Sequence, residues 1–152
     1  MEELKIELTF KRLKTDALSP EDRQLYNAAV YASKRAYAPY SQFLVGAAVR
    51  LADGMIVEGN NQENIAYPSG LCAERVALFS AGALFPEIPV IAIAIVAMKH
   101  DEIQSSIAPC GGCRQVMLET ERRFGQAIRI LLCGRDDTTI VASAADLLPV
   151  AF

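Results

Sequence analysis

Apolar residues recur along the chain at two spacings, and the switching between them outlines a layered fold. Leu25, Ala29, Ala32 and Ala36 follow one another at helical spacing. That helix opens at Ser19-Pro20-Glu21-Asp22, a capping serine followed by proline at the first helical position and acids in the first turn, and is expected to run until Pro39. Residues 43–51 (FLVGAAVRL) read as a strand, 52–54 (ADG) as a tight turn and 55–59 as its antiparallel partner. Residues 60–70 (NNQENIAYPSG) are polar and rich in Asn, Pro and Gly, which predicts a loop.

Beyond that loop the pattern alternates. A helix is predicted over 71–83, a strand over 90–98, a loop over 99–109, a helix over 110–123 and a strand over 128–133. A turn at 135–137, a short strand over 139–142 and a helical turn over 144–148 complete the chain. The β-α-β-α-β succession favours an α/β fold, one sheet with helices packed on it. Residues 5–10 (KIELTF) alternate like an additional edge strand. No repeat, linker or low-complexity stretch divides residues 1–152, so they are expected to form a single domain.

With 52% hydrophobic and 22% charged residues, the chain is too apolar to be disordered. The longest apolar run, residues 88–98, is about half of the ~20 residues a membrane-spanning helix needs, so no membrane contact is expected. The N-terminal stretch mixes charge with apolar residues and lacks the features of a secretory signal, which makes the expected location cytoplasmic. A net charge of −3 and the absence of a long basic run disfavour binding to nucleic acid. Lys11, Arg12 and Lys14, the densest basic patch, read as a solvated strand end.

Four cysteines in a cytosolic chain point to metal or catalysis rather than to disulfides. Cys110 and Cys113 form a C-x-x-C pair where a helix begins, and residues i and i+3 share one helical face. Cys72 takes the matching place at the start of the preceding helix, so neighbouring helices on one face of the sheet would bring three sulfurs together. Helix N-termini favour thiolate over thiol. Three protein ligands with an open fourth position is the arrangement of catalytic zinc. Cys133 could close the site, but its place at the end of an apolar strand fits a small buried hydrophobe. His100 sits in a polar loop and reads as a surface residue. Glu74, two residues after Cys72, is close enough to move protons without ligating; alone it would serve the helix dipole equally well.

Cys72-Ala73-Glu74 followed by Pro109-Cys110-Gly111-Gly112-Cys113 resembles the C-x-E with P-C-x-x-C signature of the cytidine deaminases. The segments at 40–48 (YSQFLVGAA), 61–67 (NQENIAY), 110–115 (CGGCRQ) and the Leu147-Leu148-Pro149 ending with Phe152 are similar to the small tetrameric members of that family, so the resemblance covers residues 31–152. Residues 1–18 fall outside it. The resemblance implies a three-layer fold, a mixed central sheet of about five strands with helices on both faces. It implies one zinc per chain on Cys72, Cys110 and Cys113, with Glu74 as acid and base. It further implies Asn61 and Glu63 on the ribose hydroxyls, Phe43 against the pyrimidine and the Ala73 backbone on the base. Tyr67 would border the site, and Phe152 would come from a neighbouring subunit of a homotetramer with shared active sites. Phe43 and Phe152 also fit ordinary packing.

The implied activity is hydrolytic deamination of cytidine and 2'-deoxycytidine to uridine and 2'-deoxyuridine, with a free pyrimidine nucleoside as partner. The alternatives are a deaminase of the blasticidin S type, against which Asn61 and Glu63 argue, and a non-catalytic zinc or redox protein. Three thiolates leave the metal centre with a net negative charge that opposes deprotonation of a bound water. Arg75, three residues after Cys72, and Arg114, next to Cys113, are candidates to hydrogen-bond the sulfurs and withdraw that charge, unless they form surface ion pairs.

Overall fold

The computed structural model describes residues 1–152. Its sheet contains β1 (Lys11–Lys14), β2 (Leu44–Leu51), β3 (Ile56–Asn60), β4 (Val90–Lys99), β5 (Glu102–Ile103), β6 (Arg129–Cys133) and β7 (Asp137–Val141). The strand order is β1-β7-β6-β4-β2-β3, with β5 beside the end of β4. Only β4 and β6 run parallel; every other pair is antiparallel. The sheet is thus mixed, and helix α1 (Pro20–Ser33) covers one face while α2 (Ala73–Leu84) and α3 (Gly111–Phe124) cover the other.

The two-residue period of the strands sorts side chains between these layers. On β4, Ile93 and Ile95 join the core under α2 and α3, whereas Ala92, Ala94, Val96 and Met98 face α1. On β6, Ile130 and Leu132 take the first face, Leu131 and Cys133 the second. Parallel register sets Ile93 beside Ile130 and Ile95 beside Leu132, so the middle of the core is built from branched aliphatic pairs. The α1 face is lined instead by small residues, and Ala29 and Ala32 of the helix are fully buried against it. Arg129 and Asp22 pair across that face, and the Ser19 hydroxyl caps α1 by accepting from the Asp22 N–H at 3.2 Å.

Seven strands stand where about five were expected; of the two extra ones, β5 folds back on the end of β4 across a tight turn, whereas β1 is held by a partner distant in sequence. β1 lies at 11–14 rather than at 5–10. Leu13 there packs toward the α1 face, Lys14 pairs with Asp137 at 3.0 Å, and residues 11–14 register on β7. Residues 5–10 pair with nothing, and Ile6 is 56% exposed. Helix α1 also stops at Ser33, short of Pro39, because the Tyr37 backbone is taken by residues 61–63: its N–H donates to the Asn61 carbonyl and its carbonyl accepts from Glu63. α2 and α3 each begin just after a cysteine, so Cys72 and Cys110 are the capping residues. His100 lies on an exposed turn, and Cys133 is fully buried.

One glycine sets how closely α2 approaches the sheet. A Cβ on Gly59 of β3 would stand 2.3 Å from the Ala77 nitrogen and 2.6 Å from the Ala73 carbonyl oxygen, both backbone atoms of the first turns of α2. Backbone cannot swing aside as a side chain does, so Gly59→Ala forces α2 off the sheet. Overpacking of this kind costs about 1–3 kcal/mol or more. The variant is expected to melt several degrees below the parent in calorimetry and to retain less zinc; unchanged melting with full zinc would show that the contact is slack.

Candidate active site

Two helices deliver the chemistry from their first turns. Cys72 precedes α2 and Cys110 precedes α3, both with extended backbone angles, and neither sulfur caps its own helix. Cys113 is the third residue of α3 and is fully buried. The Sγ atoms of Cys72 and Cys110 lie 3.8 Å apart, those of Cys110 and Cys113 lie 3.5 Å apart, and all three fall within 4.8 Å of one another. A disulfide would need about 2.05 Å, and all four cysteines are free. Sulfurs at ~2.3 Å from a tetrahedral zinc lie roughly 3.8 Å apart, so this donor set fits one zinc per chain. Exposure rises from Cys113 through Cys72 to Cys110, which leaves the cluster accessible from one side.

The surrounding charges are graded. The Cys113 thiol beside it, helped by Arg75 and Cys110, pulls the Cys72 thiol down to about 5. Cys113 is pushed up, first by its hydrogen bond to Cys72 and then by burial. Arg75 Nη2 donates to Cys72 Sγ at 3.6 Å, and Arg75 Nε is buried without a partner, so donor capacity remains beside the sulfurs. Arg114, expected to do the same, reaches no sulfur. Its Nε donates to the Pro109 carbonyl at 2.9 Å and its Nη1 to the Leu147 carbonyl at 3.1 Å, bracing the residue before Cys110 against the C-terminal 3₁₀ turn Ala144–Leu147. Glu74 is only 4% exposed, and burial pushes its carboxyl above the usual carboxylate range.

A cleft of about 790 Å³ leads to this cluster. Asn61, Glu63, Tyr67, Cys72 and Arg75 line it, together with Tyr40 and Ser41. Asn61 and Glu63 therefore share one cavity with a sulfur although they precede it by eleven and nine residues. Tyr67 is 91% exposed at the rim, on the 3₁₀ turn Tyr67–Ser69. Ala73 is fully buried behind the cleft. Phe43 is half-buried and meets Asn61 through its backbone, its carbonyl accepting from Asn61 Nδ2 at 2.9 Å. Phe152 stands apart from this cleft at 98% exposure, its carbonyl oxygen bonded by Arg122 of α3. The contacts of Tyr40 and Ser41 with Glu63 carried one local signal in the sequence, a serine two residues before Phe43, the spacing of a side-chain turn.

The sequence pattern of the cytidine and deoxycytidylate deaminase zinc-binding region matches residues 19–125. The chain belongs to that family. It is 45% identical over 127 residues to a cytidine deaminase of Mycobacterium tuberculosis, an alignment covering 82% of this chain and 84% of the relative. It is 46% identical over 99 residues to one of Halalkalibacterium halodurans, covering 64% and 71%. A crystal structure of cytidine deaminase from Burkholderia pseudomallei superposes with a TM-score of 0.74 at 44% identity, covering 86% of this chain and 98% of that one. The three-layer deaminase fold and zinc binding of this family member follow from these matches and from the sulfur cluster. No helix is long and apolar enough to cross a membrane.

The buried Glu74 carboxyl has a thermodynamic consequence. Its proton is held more tightly in the folded chain than in the unfolded one, so stability falls as pH rises above the unfolded value of about 4.3. In chelator-treated protein, Glu74→Gln should therefore raise the melting temperature at pH 8, by an amount that shrinks toward pH 4. A variant no more stable than the parent at pH 8 would show the carboxyl to be solvated.

Proposed function

We propose that the protein hydrolytically deaminates cytidine and 2'-deoxycytidine, giving uridine or 2'-deoxyuridine and ammonia. The observation that carries this reading is a cluster of three sulfurs with the buried Glu74 carboxyl near Cys72 and Cys113, its Cys72 lining one cleft together with Asn61 and Glu63. In it, Cys72, Cys110 and Cys113 hold zinc, which when bound lowers the pKa of a coordinated water. Glu74 takes the proton of the water that adds to C4 of the pyrimidine and delivers it to N3. The same carboxylate then takes the remaining proton from the C4 hydroxyl as the C4 carbonyl forms and passes it to the amine, the C4–N bond breaks and ammonia leaves. Its raised pKa suits a group that must both accept and donate near neutrality.

Asn61 and Glu63 take the sugar hydroxyls, Phe43 packs on the base, the Ala73 backbone contacts it and Tyr67 borders it. Arg75 withdraws charge from the thiolates through Cys72. The chain acts as one domain, and the name carried by its relatives supports the nucleoside assignment. A net charge of −3 supports a free nucleoside over a polynucleotide. Four reduced cysteines suit the cytoplasm. The assembly is a homotetramer in which Phe152 enters a neighbouring site, a reading supported by its distance from its own cleft and its full exposure.

The test is the fall in ultraviolet absorbance on adding cytidine, with zinc analysis of the same sample. One zinc per chain with turnover is expected. Glu74→Gln should keep the zinc and lose at least about 10²–10⁴-fold in kcat, the range for a lost general acid and base. Zinc without deamination of any nucleoside would favour a non-catalytic zinc protein, and preference for blasticidin S over cytidine would change the substrate. Deleting Phe152 should lower activity while leaving the melting temperature and the number of subunits per particle by light scattering unchanged. A fully active truncation would overturn the shared site.

A further inference from the structure

The two residues assigned to the sugar are both held by one stretch of chain, residues 37–45. Tyr37 forms a parallel bridge with Gln62, which lays this stretch alongside residues 61–63. Asn61 Oδ1 accepts from the Val45 N–H at 2.7 Å, and Asn61 Nδ2 donates to the Phe43 carbonyl at 2.9 Å, leaving one amide hydrogen free. Glu63 is held from three directions. Its Oε2 accepts from the N–H groups of Tyr40 at 2.9 Å and Ser41 at 3.2 Å, and its Oε1 accepts from the Ser41 hydroxyl.

The backbone reverses at Gln42, whose φ of 54° lies in the left-handed region, uncommon for a residue with a Cβ. The reversal lets Ser41 Oγ accept from the Phe43 N–H at 3.0 Å while it serves Glu63. A hydroxyl has one proton. Phe43 can only donate to it and an ionised carboxylate can only accept, so the direction of this relay is fixed: Phe43 N–H to Ser41 Oγ, Ser41 O–H to Glu63 Oε1. Each bond polarises the next. The Ser41 hydrogen bond is also the largest influence holding the Glu63 carboxyl below its ordinary value. A carboxylate offers about four lone-pair sites, and three are occupied, which leaves a defined direction for a hydroxyl from outside.

We infer that Ser41 is a positioning residue that aims the Glu63 carboxylate at a sugar hydroxyl of the substrate and couples it to the Phe43 backbone, an inference that rests on reading the cleft as a nucleoside site. Ser41 is exposed, so removing its hydroxyl leaves no cavity and the fold is undisturbed. The experiment is steady-state kinetics of the zinc-loaded enzyme with cytidine for the parent, Ser41→Ala, Ser41→Thr, Glu63→Gln and the Ser41→Ala/Glu63→Gln double variant. Ser41→Ala should raise KM about tenfold, as expected for one lost hydrogen bond to a charged group, with kcat within about twofold. Ser41→Thr, which keeps the hydroxyl, should stay within about threefold of the parent. In the Glu63→Gln background, Ser41→Ala should change kcat/KM by less than about twofold, because the partner is already altered. An equal loss in both backgrounds, a fall in kcat at constant KM, or no recovery with threonine would overturn the inference. A parent enzyme that turns over no cytidine would instead overturn the nucleoside reading on which it rests.

Discussion

Two helices on the same face of the sheet point their N-termini at one spot, and the rest of the structure is arranged around the charge this creates. Each N-terminus carries about half a positive charge and unpaired N–H groups. Two such ends side by side repel unless something negative lies between them. Here the capping positions are cysteines, neither sulfur is spent on its own helix, and one of the three is already drawn toward the thiolate. The field that stabilises the sulfurs thus relieves the repulsion between the helices. Gly59 fixes the geometry from below by letting α2 settle on β3, while Arg114 fixes it from the other side by bracing Pro109 against the C-terminal turn.

The far end of the cleft follows a different logic. It has no helix termini and little buried charge; its polar side chains are ordered by backbone groups of a neighbouring loop. Asn61 acts almost as an additional piece of strand edge, satisfying both a carbonyl and an amide of the chain entering β2. Phe43 and the sugar-binding residues of the proposed site therefore belong to one stitched pair of chain segments. A displacement of Phe43 would be felt at Glu63 through a single hydroxyl.

The grouping of Cys72, Cys110 and Cys113, with Glu74 buried near two of them, was legible in the sequence because offsets at helix starts hold wherever the helix is placed. The central strands and α1, α2 and α3 were legible for the same reason, from local period. β1 was misplaced by several residues because alternation is present in 5–10, whereas pairing is decided by what β7 presents in register. Arg75, three residues after Cys72, and Arg114, next to Cys113, carry no local signal that tells their roles apart. Only packing sends one guanidinium to a sulfur and the other to carbonyls. The helix from Ser19 was read too long because nothing local announces that Tyr37 will be claimed by a loop more than twenty residues away.

A sheet in this fold has to stop somewhere, and at one border it stops at β1. Three of the four residues of that strand are basic, so its outer rim is short, solvated and of a single charge. A second copy approaching rim to rim would bring Lys11, Arg12 and Lys14 against their equals. Charged edges of this kind prevent open-ended strand addition. The border thereby acts as a colloidal safeguard, disfavouring the fusion of one sheet with another along this edge.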